Sequence, residues 1–291
     1  MSAKKLHGMD SLADRLRAMV LYPLSYVSWH LGITSVLEDL GRKRPGVIVL
    51  TFHRVNEEAG AAAGGYDGNV IPLKRFRQFL AYLKARHQFI SPDELMTFVR
   101  GDSAVTRPSL LLTFDDGYED ICRFALPLIR DEGIPSVVFV TTGILQEGFV
   151  FPADKPSPGD GQRRLYMTAL EVQAIKAMGF EIGSHSVSHP VLAELSSEQQ
   201  KREIVDSRNQ LEELTGAPVR FFSYPIGPIS PETPGFVREA GYQMALGNRR
   251  SAVQPGGNRY FVPRVSTGNQ PLPVLAFKLA FLSLMSRRRA Q

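Results

Sequence analysis

From residue 45 to about 268, short apolar runs alternate with amphipathic stretches, and that rhythm restricts the chain to a β/α architecture. Val47-Ile48-Val49-Leu50-Thr51 reads as a buried strand. Phe76, Phe79, Leu80 and Leu83 then fall at helical spacing and predict a helix over 73–86. Phe89-Ile90 is a short strand, and Ser91-Pro92-Asp93-Glu94 opens the next helix with a cap, a first-turn proline and two acids. Further strands are expected at 109–114, 136–140, 180–183, 220–222, 242–246 and 260–262. Helices are expected up to Arg130, from Thr168 to near Gly179, from Ser196 to Leu214 and around Phe236. Thr168 and Ser196 each stand three residues before a Glu or Gln, the spacing of a capping box. The expected fold is α/β, a distorted (β/α) barrel of seven or eight parallel strands with peripheral helices at both termini. An open doubly wound sheet is the competing arrangement. A chain of 291 residues that is 43% hydrophobic can bury the core of one such large domain.

One strand in this series ends abruptly. Ser109-Leu110-Leu111-Leu112-Thr113-Phe114 runs into Asp115-Asp116-Gly117, two adjacent carboxylates and a glycine. Neighbouring residues at a strand end point in different directions, so one acid can bind a metal while the other takes a proton. An isolated Asp-Asp-Gly would more simply be a turn or a helix cap. The second cluster, Gly183-Ser184-His185-Ser186-Val187-Ser188-His189-Pro190, argues otherwise. His185 and His189 follow a strand and lie four residues apart, which lets two imidazoles reach one ion. Position 186 is Ser where a zincin would need Glu. Two histidines and one aspartate leave coordination positions open for water and substrate, as a catalytic metal site requires. The same ligands could hold Fe(II) in an oxygenase.

These motifs are specific enough to suggest a relationship. Thr113-Phe114-Asp115-Asp116-Gly117-Tyr118 followed by His185-Ser186-Val187-Ser188-His189-Pro190 resembles the polysaccharide deacetylase family, the NodB-type group or carbohydrate esterase family 4. The resemblance covers about 45–268. It implies a distorted (β/α) barrel that removes acetyl groups from N-acetylated sugars with one divalent metal, Zn²⁺ or else Co²⁺, Ni²⁺ or Fe²⁺. Carried over by position, Asp115 is the general base, and Asp116, His185 and His189 are the metal ligands. Phe222-Ser223-Tyr224-Pro225-Ile226-Gly227 resembles the family's third motif, whose turn offers a backbone N–H to an oxyanion; Pro225 cannot donate, so Ile226 is the candidate.

The chain departs from the common pattern twice. Ser223 stands where many members carry an arginine that holds the base, and Arg264, in Phe261-Val262-Pro263-Arg264-Val265, is the candidate to supply that guanidinium. No histidine follows His189, although members usually carry a late one as the acid. His53 ends the first strand and should face the same mouth, as in the branch acting on exopolysaccharides such as poly-N-acetylglucosamine. His53 is therefore the expected general acid, while His87 precedes a strand at the opposite face. The implied partner is an N-acetylated glycan. Peptidoglycan, a lipid-linked sugar or a non-sugar amide are alternative substrates, and a non-catalytic saccharide-binding or scaffold role is the alternative class.

The remaining sequence bears on surroundings. The single cysteine, Cys122, excludes an intramolecular disulfide and lies in an apolar stretch where a core thiol is expected. Much of the net charge of +5 sits near the ends, at Lys4, Lys5, Arg15, Arg17, Arg42-Lys43-Arg44 and Arg287-Arg288-Arg289. No nucleic-acid-binding module or basic–aromatic interleaving accompanies it, so no nucleic-acid partner is expected. Residues 18–37 lack Asp, Glu, Lys and Arg, but Pro23, Ser25, Ser28, His30, Gly32, Thr34 and Ser35 make them a weak spanning candidate. The expected division is a helical extension at 1–44, a deacetylase domain at 45–270 and a basic amphipathic tail at 271–291. Both ends are expected to lie on a membrane surface or pack on the barrel. A small-residue cleavage site is not evident, which favours a location in the cytoplasm or peripheral to an inner membrane.

Overall fold

The computed structural model describes residues 12–43, 45–57, 70–154 and 165–285, with side chains from Met19 onward. Lys4, Lys5, Arg44, Arg287, Arg288 and Arg289 lie outside the described residues, as do the side chains of Arg15 and Arg17.

Two helices, α1 (Leu12–His30) and α2 (Ile33–Arg42), precede the first strand, β1 (Val47–Phe52). A small parallel pair, β2 (Arg54–Asn56) and β3 (Val70–Pro72), leads into α3 (Leu73–Arg86), β4 (Gln88–Phe89) and α4 (Pro92–Arg100). Then come β5 (Ser109–Phe114), α5 (Leu126–Asp131), β6 (Ser136–Val140), α6 (Ala169–Ala177), β7 (Glu181–Ser184), α7 (Ser197–Thr215) and β8 (Phe221–Ser223). The series closes with α8 (Thr233–Glu239), β9 (Met244–Leu246), β10 (Val265–Ser266) and α9 (Leu272–Met285). The sheet runs β10-β1-β5-β6-β7-β8-β9, all parallel, with β4 added beside β5. Seven parallel strands thus curl into a distorted, incomplete barrel.

Period-two alternation explains how the strands bury both faces. Ile48, Leu50, Phe52, Leu110, Leu112 and Phe114 join the larger core under the surrounding helices. Val47, Val49, Leu111, Val137 and Phe139 face the other way, into a second core that α4 covers with Leu95, Phe98 and Val99. On this second face Thr51 and Thr113 hydrogen-bond at 3.1 Å, so Asp115 continues the inward side of β5. Capping boxes at Ser91, Thr168 and Ser196 start α4, α6 and α7.

Two expected elements differ. Residues 260–262 form no strand; Val262 makes one parallel bridge to Leu246, and the last strand is β10. Pro263 has no N–H to extend a ladder from Val262. The helix expected up to Arg130 begins as a π-helical turn, Ile121–Ala125. Pro127 in the first turn of α5 cannot donate and crowds the carbonyl of Arg123, which a wider turn relieves. Cys122, on that turn, is only half-buried against the core.

At the side of the barrel, α1, α2 and α9 pack on one another, and α9 also meets α3 and β1. Trp29 of α1 packs against Tyr82 of α3, and Arg86 pairs with Glu38 of α2 at 2.9 Å. Among the described residues, no helix is long and apolar enough to cross a membrane.

Candidate active site

The carboxyl ends of β1, β5, β7 and β8 deliver the chemical groups, because side chains there leave the ladder and face the open mouth. Asp115 and Asp116 follow β5, His185 follows β7, and His53 follows β1. Asp116 Oδ1 lies 3.4 Å from His185 Nε2 and 3.5 Å from His189 Nε2. One ligand atom from each of these three residues lies within 4.8 Å of the others. Ligands about 2.1 Å from a tetrahedral ion would stand about 3.4 Å apart. Asp116 Oδ1 is buried and has no hydrogen-bond partner among the described residues, an arrangement that an ion would satisfy. The donor set therefore fits a borderline divalent metal.

Backbone strain is concentrated in the same place. The non-glycine residues with positive φ among those described are Asp116 (75°), Ser186 (65°) and His189 (57°). Such conformations persist only where the surroundings enforce them. For the histidine loop the enforcement is visible. Thr142 N–H donates to the Ser186 carbonyl at 3.1 Å and Gly143 N–H to the Val187 carbonyl at 2.7 Å. A side chain at Gly143 would start 2.6 Å from that Val187 oxygen, so only glycine permits the approach. His185 Nδ1 pairs with the Ser223 carbonyl at 2.8 Å, which turns Nε2 and its lone pair toward Asp116.

Asp115 sits beside the triad and is held differently. Arg264 Nη1 lies 2.9 Å from both carboxylate oxygens. Ser223 Oγ donates to Oδ2 at 3.3 Å, and His185 Nε2 is 3.7 Å from that same oxygen. Burial opposes ionisation, yet the Arg264 guanidinium, with His185 and His53, holds the Asp115 carboxyl below the usual carboxylate range. Burial likewise works against Asp116, and the close approach of His185, together with His53 and His189, outweighs it, so this carboxyl is also held low. Burial disfavours the charged form of His185, but the two carboxylates overcome it and push its pKa up. Two buried anions converging on imidazoles create a place that gathers positive charge.

The other candidates lie around this centre. His53 is half-buried with Nδ1 unpartnered among the described residues, and its charge acts on both aspartates. Ile226 lies in the turn after β8, half-buried, and its N–H forms no hydrogen bond among the described residues. His87 is remote, buried where α3 enters β4.

Residues 102–245 match the family model for polysaccharide deacetylases. The chain belongs to the polysaccharide deacetylase family. A curated relative assigned to the same family, YxkH of Bacillus subtilis strain 168, is 27% identical over 100 residues. That match takes in 34% of this chain and 36% of the relative, about a third of its length. Among solved structures, the Streptococcus pyogenes deacetylase PplD superposes with a TM-score of 0.66 at 18% identity, over 78% of this chain and 95% of that one. IcaB from Ammonifex degensii gives 0.66 at 23% identity, over 82% and 97%. These two likenesses are of fold.

Within a member of this family, several supporting residues escape sequence reasoning. Glu203, on α7, accepts hydrogen bonds from the N–H groups of Val187 (2.9 Å) and Ser188 (2.8 Å) and from Ser188 Oγ (2.6 Å). Asn248 accepts from Arg264 Nη2 at 3.3 Å and donates to the Pro225 carbonyl at 3.1 Å, linking the arginine to the Ile226 turn. Asp154 accepts from Tyr118 and Tyr166, each at 2.8 Å, beside Phe151, whose ring packs edge-on to His189. None of these carries a motif; a polar residue on a polar helix or in a loop gives no signal of what it will meet.

Proposed function

We propose that this chain is a metal-dependent hydrolase that removes N-acetyl groups from acetamido sugars of an exopolysaccharide or a related glycan. The observation that carries the reading is the convergence of Asp116, His185 and His189 beside a separately anchored Asp115. Bound by the three ligands, a divalent ion would supply Lewis acidity, bringing the pKa of a water to about 7 and polarising an amide carbonyl. Zn²⁺ suits the ligand set, and Co²⁺, Ni²⁺ or Fe²⁺ are compatible with it.

The chain's own residues supply the proton transfers. Asp115, ionised and fixed by Arg264 and Ser223, accepts the proton of the attacking water. The N–H of Ile226 donates to the oxyanion that develops on the acetyl carbonyl. His53 gives a proton to the departing amine, which leaves as a free amino sugar while acetate forms. Arg264 does not touch substrate; it holds the orientation and the charge of Asp115.

The test is acetate release from N-acetylglucosamine oligomers after loading the purified chain with Zn²⁺ or Co²⁺. Release that depends on the metal and vanishes in Asp115→Asn is the expected result. A fully metal-loaded protein that binds the oligomers and releases no acetate would make it a saccharide-binding protein instead.

A further inference from the structure

Two of the three helices at the side of the barrel, α1 and α2, are built largely inside out, while α9 buries Leu275 and Leu279 in the core and turns Phe281 and Met285 outward. On α1, beside the half-buried Trp29, the fully buried side chains are small and polar: Ser25 and Ser28 are buried, and Ser28 hydrogen-bonds Thr34 of α2 at 2.9 Å. Between α2 and α9 the contact is again small on small. A side chain at Gly41 would begin 2.9 Å from Ser283 Cβ. The outward residues are the large apolar ones. Met19 is 72% exposed, Leu31 69% and Val36 58%, and Val20, Leu24 and Val27 accompany them on α1. On α9, Phe281 is 53% exposed. Elsewhere among the described residues the exposed large hydrophobics are Val150, Leu170, Met178 and Val205, and these are scattered.

A helix that packs in water shows the reverse pattern, apolar inward and polar outward. Small polar residues at helix contacts with apolar residues facing out are what packing looks like when the surroundings are hydrocarbon. Solvent-exposed tyrosines at positions 22 and 26 suit the boundary between hydrocarbon and headgroups.

Charge identifies which boundary. The exposed face is uncharged from residue 18 to 37, and basic residues border it in sequence. Lys4, Lys5, Arg15 and Arg17 precede it, against Asp10 and Asp14, and Arg42, Lys43 and Arg44 follow. No Asp or Glu occurs after Glu239, whereas Arg249, Arg250, Arg259 and three terminal arginines do. The acids of α2 are already engaged: Glu38 with Arg86, and Asp39 with Arg42 at 3.6 Å. We propose that the outward face of α1, α2 and α9 docks on an anionic phospholipid bilayer, its apolar side chains entering one leaflet and its basic residues meeting the headgroups. The helices lie in the interface and do not cross it, in keeping with their length and apolarity.

Trp29, the single tryptophan, lies on α1 and reports on the contact. The full chain is floated with vesicles of phosphatidylcholine alone or with about 30% phosphatidylglycerol, and Trp29 emission is followed. Expected are flotation with the anionic vesicles, a change in Trp29 emission as the exposed face beside it is covered, and partial loss of binding as salt shortens the screening length. The double variant Val27→Asp/Val36→Asp should partition at least about tenfold less well, with its circular dichroism and acetate release unchanged. Leu24→Asp/Leu31→Asp repeats the test on other exposed positions if the first pair disturbs folding. Absence of flotation on either vesicle overturns the proposal. Self-association that these variants abolish, without vesicle binding, would mean that a second copy covers the face. Equal binding to neutral and anionic vesicles overturns the part assigned to charge.

Discussion

Asp115 and Asp116 are neighbours in the chain and differ in every contact that matters. Asp116 points its Oδ1 at two imidazoles, and Asp115 meets a guanidinium and a hydroxyl. Substitution should separate them. Asp116→Ala or His185→Ala is expected to lose bound metal and activity together. Asp115→Asn is expected to keep the metal and lose about 10²–10⁴-fold in kcat, the range for a missing general base; metal content by atomic absorption beside acetate release checks both. Arg264→Met should also lower kcat with metal retained, and Arg264→Lys should recover little, because a lysine cannot reproduce a planar fork whose Nη1 faces Asp115 while Nη2 reaches Asn248. Equal activity in the Met and Lys variants and the unaltered chain would remove Arg264 from the site. At this scale the residues that the fold brings together were legible, since motifs at strand ends name them. Arg264 was reachable only because Ser223 left a vacancy in the pattern. Asn248 was not, since its partners lie 16 and 23 residues away and are set by tertiary folding.

Elements decide whether those atoms arrive in register. The histidine loop bends through two positive-φ residues, and α7 braces it through Glu203, which takes three hydrogen bonds from Val187 and Ser188. Glu203→Ala should leave α7 intact, because Ser196 and Gln199 still cap it, but release the loop. A support one step behind the ligands commonly contributes 10–100-fold in metal affinity. The expected result is thus a drop of about 10–100-fold in Zn²⁺ affinity by calorimetry, with far-UV circular dichroism unchanged. Unaltered affinity would show that Thr142 and Gly143 suffice to hold the loop. The start of α7 was legible from its capping box, as were those of α4 and α6, because a cap is a local bargain between a side chain and the first free N–H groups. The break at Ile121–Ala125 and the shift of the last strand past Pro263 were less so. In both, one proline overrides an apolar pattern that by itself would continue the element.

At the scale of the molecule, the parallel barrel was readable from the strand–helix rhythm, whereas the packing of the terminal helices was not. Helices whose apolar side faces out give the same residue pattern as helices whose apolar side faces in. The barrel's far end carries a further consequence for the whole fold. His87 is buried where α3 meets β4, and burial, helped by the charges of Arg86 and Arg42, lowers its pKa from 6.5 to about 4. The native state therefore binds fewer protons at this site than the unfolded chain over that interval. A depressed native pKa means stability that is present above pH about 6.5 and lost as pH falls toward about 4. The gap corresponds to about 3 kcal/mol, enough to remove a large share of an ordinary domain's stability. His87→Asn removes the titration while keeping a polar group at the site. Urea midpoints measured at intervals from pH 7.5 to 4 should fall less steeply for the variant, so the stability of the unaltered chain relative to the variant should decrease toward acid whatever their offset at neutral pH. Every other titrating group contributes alike to both proteins, so the difference isolates His87. Parallel curves across that range would mean that His87 is protonated in the native fold and paired there, and that the acid sensitivity of the molecule arises at the active-site end instead.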